Sequence, residues 1–199
     1  MSLPKRDTQY HTYSDYLIWS REHGDELIDG TAYVKEPPSP TPYHQIIAAE
    51  IHFQLKIALE ATDWVIYIAP LDVCLPKNGD RDEEIDTVVQ PDVLITTRAH
   101  TGSRNIMGAP NWLVEVLSPS TARYDRNIKI PVYERAGVPE VWLVDFDART
   151  VAIYRLSEGR YGSPTVTPLQ GKTQLTAIPE GSVDWDRLLE NARRAGPEY

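Results

Sequence analysis

Trp112-Leu113-Val114-Glu115-Val116-Leu117 is the stretch on which the fold turns. Both alternating sets of side chains are apolar apart from one carboxylate, so a strand built from it has no solvent face and belongs inside a sheet covered on both sides. Glu115 is then the anomaly. An unpaired carboxylate is costly to bury, and this one needs a cation, a proton or a hydrogen-bonding partner.

A second acid stands in the same predicament just upstream. Val88 to Ile95 reads as another strand, and within it Gln90-Pro91-Asp92 precedes Val93-Leu94-Ile95. Taken singly, Asp92 could end its strand and Glu115 could pair with an arginine or lysine. Taken together on neighbouring strands, the two carboxylates repel unless a cation lies between them. A divalent ion answers both problems, because carboxylates and waters are the oxygen ligands that Mg2+ or Mn2+ prefers. Such an ion can orient and polarise a phosphate and generate hydroxide.

The rest of the chain supplies the cover this sheet requires. Tyr43 to Ala61 places Ile46, Ile47, Ile51, Leu55 and Leu59 at three- and four-residue steps, which predicts a long amphipathic helix. Trp64 to Leu75 reads as a strand, followed by a polar, acidic loop from Pro76 to Asp86. Pro119 to Gly137 has helical character with glycine where a C-cap wants it; Pro131 either kinks this helix or lies in its first turn. Val141 to Val144 and Val151 to Leu156 are two more strands around a turn at 145–149, and Asp184 to Arg194 is a closing helix. The order is helix, three strands, helix, strand. Ahead of it, Thr12 to Glu22 is predicted helical, Glu26 to Val34 is a hairpin turning on Asp29-Gly30, and Pro37 to Pro42 is a rigid connector.

Composition narrows the function. The 199 residues carry 29 acids against 20 bases, a net charge of −9. That balance excludes bulk attraction to nucleic acid and confines any phosphate contact to a local patch. Arg123, Arg126, Lys129 and Arg135 offer such a patch just after the Glu115 strand, although a solvated helix face has the same pattern. The single cysteine, Cys74, allows no internal disulfide and no cysteine-based zinc site, and fits a small core residue in a reducing compartment. Without a signal-like N-terminus or an apolar run of membrane length, a cytoplasmic protein with no membrane partner and no organic cofactor is expected.

Gln90-Pro91-Asp92-Val93, Trp112 to Thr121, Asp125, Lys129, Tyr133 and Ala136-Gly137-Val138-Pro139-Glu140-Val141-Trp142-Leu143-Val144-Asp145 resemble the Uma2 family of restriction endonucleases, also called DUF820. Glu26-Leu27-Ile28-Asp29-Gly30 and His44 match as well, so the resemblance runs from about Tyr16 to Asp186. It implies an α/β, restriction-endonuclease-like PD-(D/E)XK core, a mixed central sheet flanked by helices, with the N-terminal helix and hairpin as an extension. One domain over 1–199 is expected, its core spanning about 43–156.

The resemblance also implies a metal-dependent DNA endonuclease with Asp92 and Glu115 as metal-holding catalytic acids. In that superfamily a lysine stands two positions after the second acid, where this chain has Leu117. The resemblance suggests that Lys129 takes its part, stabilising charge at the phosphate; spaced four from Asp125, it also suits a surface ion pair. Glu50 joins the metal site or remains a solvated helix residue. His44 contacts phosphate, acts as an acid or packs the helix start; Gln90 touches a metal-bound water or DNA, or is an edge amide. Asp125 and Tyr133 are expected as supporting residues, and Arg123 and Arg126 as nucleic-acid contacts. A homodimer is expected, since cutting two strands is simplest with two related sites. The competing class is a nuclease-fold protein without turnover, acting as a nucleic-acid-binding or scaffold module. A glycoside hydrolase using the same two acids would leave Lys129 without a part.

Overall fold

In the computed structural model, which describes residues 7–19, 25–34, 41–77 and 81–195, α1 (Tyr13–Trp19) leads into the expected hairpin of β1 (Glu26–Ile28) and β2 (Thr31–Tyr33). Asp29 and Gly30 turn it with φ of 49° and 73°, the left-handed pair a two-residue hairpin turn requires. The predicted end of the first helix at Glu22 and most of the proline-rich connector lie outside the described residues. Pro42, read from sequence as connector, is instead the first residue of α2 (Pro42–Ala58), where a missing N–H costs nothing; the Thr41 hydroxyl caps the helix by accepting from His44 N at 3.2 Å.

Two expected strands are each divided by a proline. Trp64 to Leu75 forms β3 (Trp64–Ile68) and β4 (Val73–Cys74) around Pro70, and Val88 to Ile95 forms β5 (Val88–Val89) and β6 (Val93–Thr97) around Pro91. Proline cannot donate to a ladder, so the chain leaves one sheet and enters the other at each break. After β7 (Ile106–Met107) and β8 (Trp112–Val116) comes a helical stretch of three parts. These are α3 (Ala122–Tyr124), a widened π turn at Asp125–Lys129, and α4 (Ile130–Ala136). In the π turn Ile130 N reaches back to Asp125 O, and Pro131 follows in the first turn of α4; Gly137 ends the helix at φ 82°. The chain finishes through β9 (Glu140–Asp145), β10 (Thr150–Arg155), β11 (Thr165–Pro168), β12 (Lys172–Gln174), β13 (Ser182–Asp184) and α5 (Trp185–Ala195).

The large sheet runs β11-β10-β9-β8-β6-β3, mixed because β8 and β9 are parallel while its other pairs are antiparallel. All five residues of β8 are buried, as its two-sided hydrophobicity requires. One face packs Val93, Ile95, Trp112, Val114 and Trp142 against Ile47, Ile51 and Leu55 of α2 and Leu188 of α5. The other packs Leu94, Leu113, Val141 and Leu143 against Tyr133 and Val132 of α4 and against a second sheet of order β2-β1-β5-β4-β7. No helix among the described residues is long and apolar enough to cross a membrane.

Glu140 shows how a buried acid in a strand can be purely architectural. It is 1% exposed, accepts from Trp142 Nε1 at 2.5 Å, and takes the backbone N–H groups of Thr176 and Ala177 at 2.8 and 3.0 Å. It thereby ties the connection between β12 and β13 to the main sheet. Glu140→Ala leaves these donors without their acceptor and is expected to cost about 2–4 kcal/mol in a urea melt; a loss under about 0.5 kcal/mol would show that water replaces the carboxylate.

Candidate active site

Extending the pairing Val93↔Val114 by one residue sets Asp92 opposite Glu115, so the two acids of the sequence occupy facing positions of adjacent central strands. By strand alternation both share the side of Leu94 and Leu113, the face covered by α4 and the second sheet. Pro91 accounts for Asp92's placement: it stops the ladder of the second sheet, and Asp92 stands immediately before β6 of the large one.

Each acid is held by one oxygen. Asp92 Oδ2 accepts from Val116 N at 2.7 Å and lies 3.1 Å from His44 Nε2, which the capped start of α2 brings to the end of β6. Glu115 Oε1 lies 2.5 Å from both the Tyr133 hydroxyl and Lys129 Nζ. Asp92 Oδ1 and Glu115 Oε2 carry no hydrogen bond or ion pair with the described residues. The Asp92 side chain keeps 15% of its surface and Glu115 only 4%.

Lys129 is the cation of this site and is 1% exposed. Besides Glu115 its ammonium has Glu26, on β1, at 3.0 Å. Asp125, Lys129 and Tyr133 follow at four-residue steps and all three are buried, so the π turn and the turn after it aim one stripe at Glu115. Burial pushes the Glu115 carboxyl up to about 8; Lys129 opposes that rise, while Asp92, Asp125 and Glu26 add to it. Burial likewise pushes Asp125 up to about 6, again against Lys129 and with the help of Glu26 and Asp92. For Lys129 burial works downward, but Glu115, Glu26 and Asp125 outweigh it and hold the ammonium well above its ordinary value.

Three acids therefore face one lysine, with Asp92 beside them. This excess of buried negative charge, with an unused oxygen on each of two facing carboxylates, fits a hard divalent cation that retains several of its own waters. Among the described residues no three histidine, cysteine, aspartate or glutamate side chains converge as a ligand cluster. A site supplied mainly by Asp92 and Glu115, with water completing the shell, is what this arrangement accommodates.

The other sequence candidates divide. Gln90 is a link to the second sheet: its backbone N donates to Glu26 Oε1 at 2.7 Å and its side chain donates to Asp72 Oδ1 at 2.8 Å. Glu50 does not meet either acid; it accepts from Gln54 and pairs with Arg187 of α5 at 3.2 Å. Arg126 pairs with Asp145 at 2.9 Å, and Arg123 is exposed next to it on the same helical stretch. Glu26 was not singled out from sequence as a site residue, yet it is fully buried against Lys129. Its signal was present, since the acid directly precedes Leu27-Ile28 in a strand, the same anomaly that marks Glu115.

Comparison with known proteins agrees with this architecture. The crystal structure of a putative nuclease belonging to DUF820 from Anabaena variabilis ATCC 29413 superposes with a TM-score of 0.66 over 84% of this chain and 90% of that chain, at 19% identity, a likeness of fold. No curated protein matches the chain. The family described as "Putative restriction endonuclease", Uma2, matches residues 13–186, nearly the whole length. The chain belongs to the Uma2 family.

Proposed function

We propose that this protein is an endonuclease that hydrolyses phosphodiester bonds of DNA with Mg2+ or Mn2+ held by Asp92 and Glu115. The observation that carries the reading is the pair of facing carboxylates, each with one oxygen fixed by the protein and the other left over, beside a buried lysine. A bound divalent ion supplies Lewis acidity and an acidified water. The chain's own residues set the stage for it. Val116 N and His44 fix the plane of the Asp92 carboxylate; Tyr133 and Lys129 fix that of Glu115. Lys129 contributes a fixed positive charge whose field favours the negative charge developing on phosphoryl oxygens. Arg123 and Arg126 lie on the same helical stretch and offer contacts to neighbouring phosphates. The reading of a nuclease-fold protein that binds DNA without turnover draws on one observation: the Lys129 ammonium is already engaged by two acids. Manganese-dependent nicking of a supercoiled plasmid separates the two.

Asp92→Asn and Glu115→Gln are each expected to abolish nicking and manganese binding by calorimetry. Lys129 keeps Glu26 as a counter-ion when Glu115 is neutralised, so Glu115→Gln should cost well below the about 3–5 kcal/mol of a stranded buried charge. Lys129→Ala should slow nicking far more than it weakens manganese binding. Nicking retained in either acid variant would sink the assignment.

Metal-free stability should fall as pH rises. Glu115 titrates at about 8 in the folded chain against 4.5 as its ordinary value, so between these the folded state holds a proton that the unfolded state has released. Asp125, raised from 3.8 to about 6, acts in the same direction at lower pH. Melting temperatures from pH 5 to pH 8 should therefore decline, with the slope flattened in Glu115→Gln and opposed by added manganese. A metal-free melt that rises over this range would contradict the charge excess.

The chain is further expected to act as a homodimer, two related sites being the simplest means of cutting both strands. Light scattering at micromolar concentration, with and without DNA, tests this; a monomer under both conditions counts against it.

A further inference from the structure

We infer that Glu26 is a positioning residue of the site: it is the counter-ion that holds the Lys129 ammonium in place when Glu115 is engaged by the metal ion. The inference rests on the metal-dependent reading above.

Glu26 is fully buried on β1, a strand of the second sheet. Its Oε1 lies 3.0 Å from Lys129 Nζ and accepts the backbone N–H of Gln90 at 2.7 Å. That oxygen is thus pinned by the segment whose next residues are Pro91 and Asp92, and the lysine is pinned by the oxygen. Glu115 serves the same ammonium with Oε1, at 2.5 Å, and faces Asp92 across the strand pair. A divalent ion held by Asp92 and Glu115 would draw on the charge of Glu115 and repel the ammonium beside it. With Glu115 as its sole partner, Lys129 would lose attraction as the ion arrived. A second carboxylate, on a separate sheet and anchored to backbone, keeps the ammonium where it was.

A purely architectural role predicts differently. A buried acid that only tied the second sheet to Gln90 N would affect folding whether or not residue 129 carries a charge. A positioning role acts through Lys129 and vanishes with it.

The experiment compares wild type, Glu26→Gln, Glu26→Asp, Lys129→Ala and the Glu26→Gln/Lys129→Ala double variant. The lysine side-chain nitrogens are observed by 15N NMR in metal-free protein, with the Lys129 signal assigned by its loss in Lys129→Ala. Manganese affinity is measured by calorimetry, and plasmid nicking is measured with manganese. Glu26→Gln is expected to shift or broaden away the Lys129 signal and to lower kcat by about tenfold to a hundredfold, the scale of outer-shell partners, with KM and manganese affinity changed by less than about threefold. Glu26→Asp, which keeps the charge but draws it back by one methylene, should recover part of the rate, and it carries the test should Glu26→Gln not fold. In the Lys129→Ala background Glu26→Gln should add less than about twofold. An unmoved Lys129 signal in both Glu26 variants overturns the inference, and so does a Glu26→Gln effect on kcat that persists in full without Lys129. If wild type itself fails to nick DNA, the functional reading fails, while the NMR comparison still decides what Glu26 does for Lys129.

Discussion

The constraint on which this structure rests is the cost of enclosing like charge. Glu26, Glu115 and Asp125 come from two sheets and a helix and act on the single ammonium of Lys129, itself almost removed from water, while Asp92 faces Glu115 beside them. Burying a cation with one acid is often no better than burying apolar groups in its place, and grouping further acids around the pair is worse unless something further balances the charge. Much of the surrounding architecture can be understood as holding that cluster together: the backbone N–H of Val116 on Asp92, the Tyr133 hydroxyl on Glu115, and the Gln90 N–H on Glu26. Each donor is neutral, so each steadies an acid without cancelling it. The charge remains available to a cation.

The two sheets meet at this cluster because of two prolines. Pro70 and Pro91 each stop a ladder, and on either side of the break the chain belongs to a different sheet. The smaller sheet is consequently more than a cover for the apolar face of the larger one. It delivers Glu26 to Lys129 and, through Gln90, Asp72 and Tyr16, connects the site to the first helix by a chain of hydrogen bonds.

What could be read from the sequence was set by the strength of the local signals. The β8 strand and α2 declared themselves because their apolar positions are long and regular, and Asp29-Gly30 because two left-handed residues in succession leave little choice of turn. The strands at 64–75 and 88–95 were read straight through their prolines, although a residue without an N–H argues against an unbroken central strand. The β11 and β12 strands are largely exposed, so no apolar alternation marks them; β11 is attached by its ladder to β10, and Glu140 secures the connection after β12 from a distance. Asp92 and Glu115 stood out as acids among apolar neighbours, whereas Glu26 hid in a strand of only three residues. For Lys129 four-residue spacing from Asp125 suited a surface pair equally well; what removes it from the surface is the sheet packed above it, which no local pattern records.

The π turn at Asp125–Lys129 takes up chain length in a way that side-chain chemistry does not capture. About one extra residue is accommodated within this turn, so the halves of the helical stretch on either side keep nearly the phase of a regular α-helix, which advances about 100° per residue. Removing a residue between Asp125 and Lys129 would restore ordinary winding, and because positions three apart share a face of a regular helix, Asp125 would still lie on the side of Lys129 and Tyr133. In a relative of this chain, a one-residue gap between the positions of Asp125 and Lys129 would therefore signal an ordinary turn in place of the wide one, with the stripe still assembled if every acid and the lysine were there.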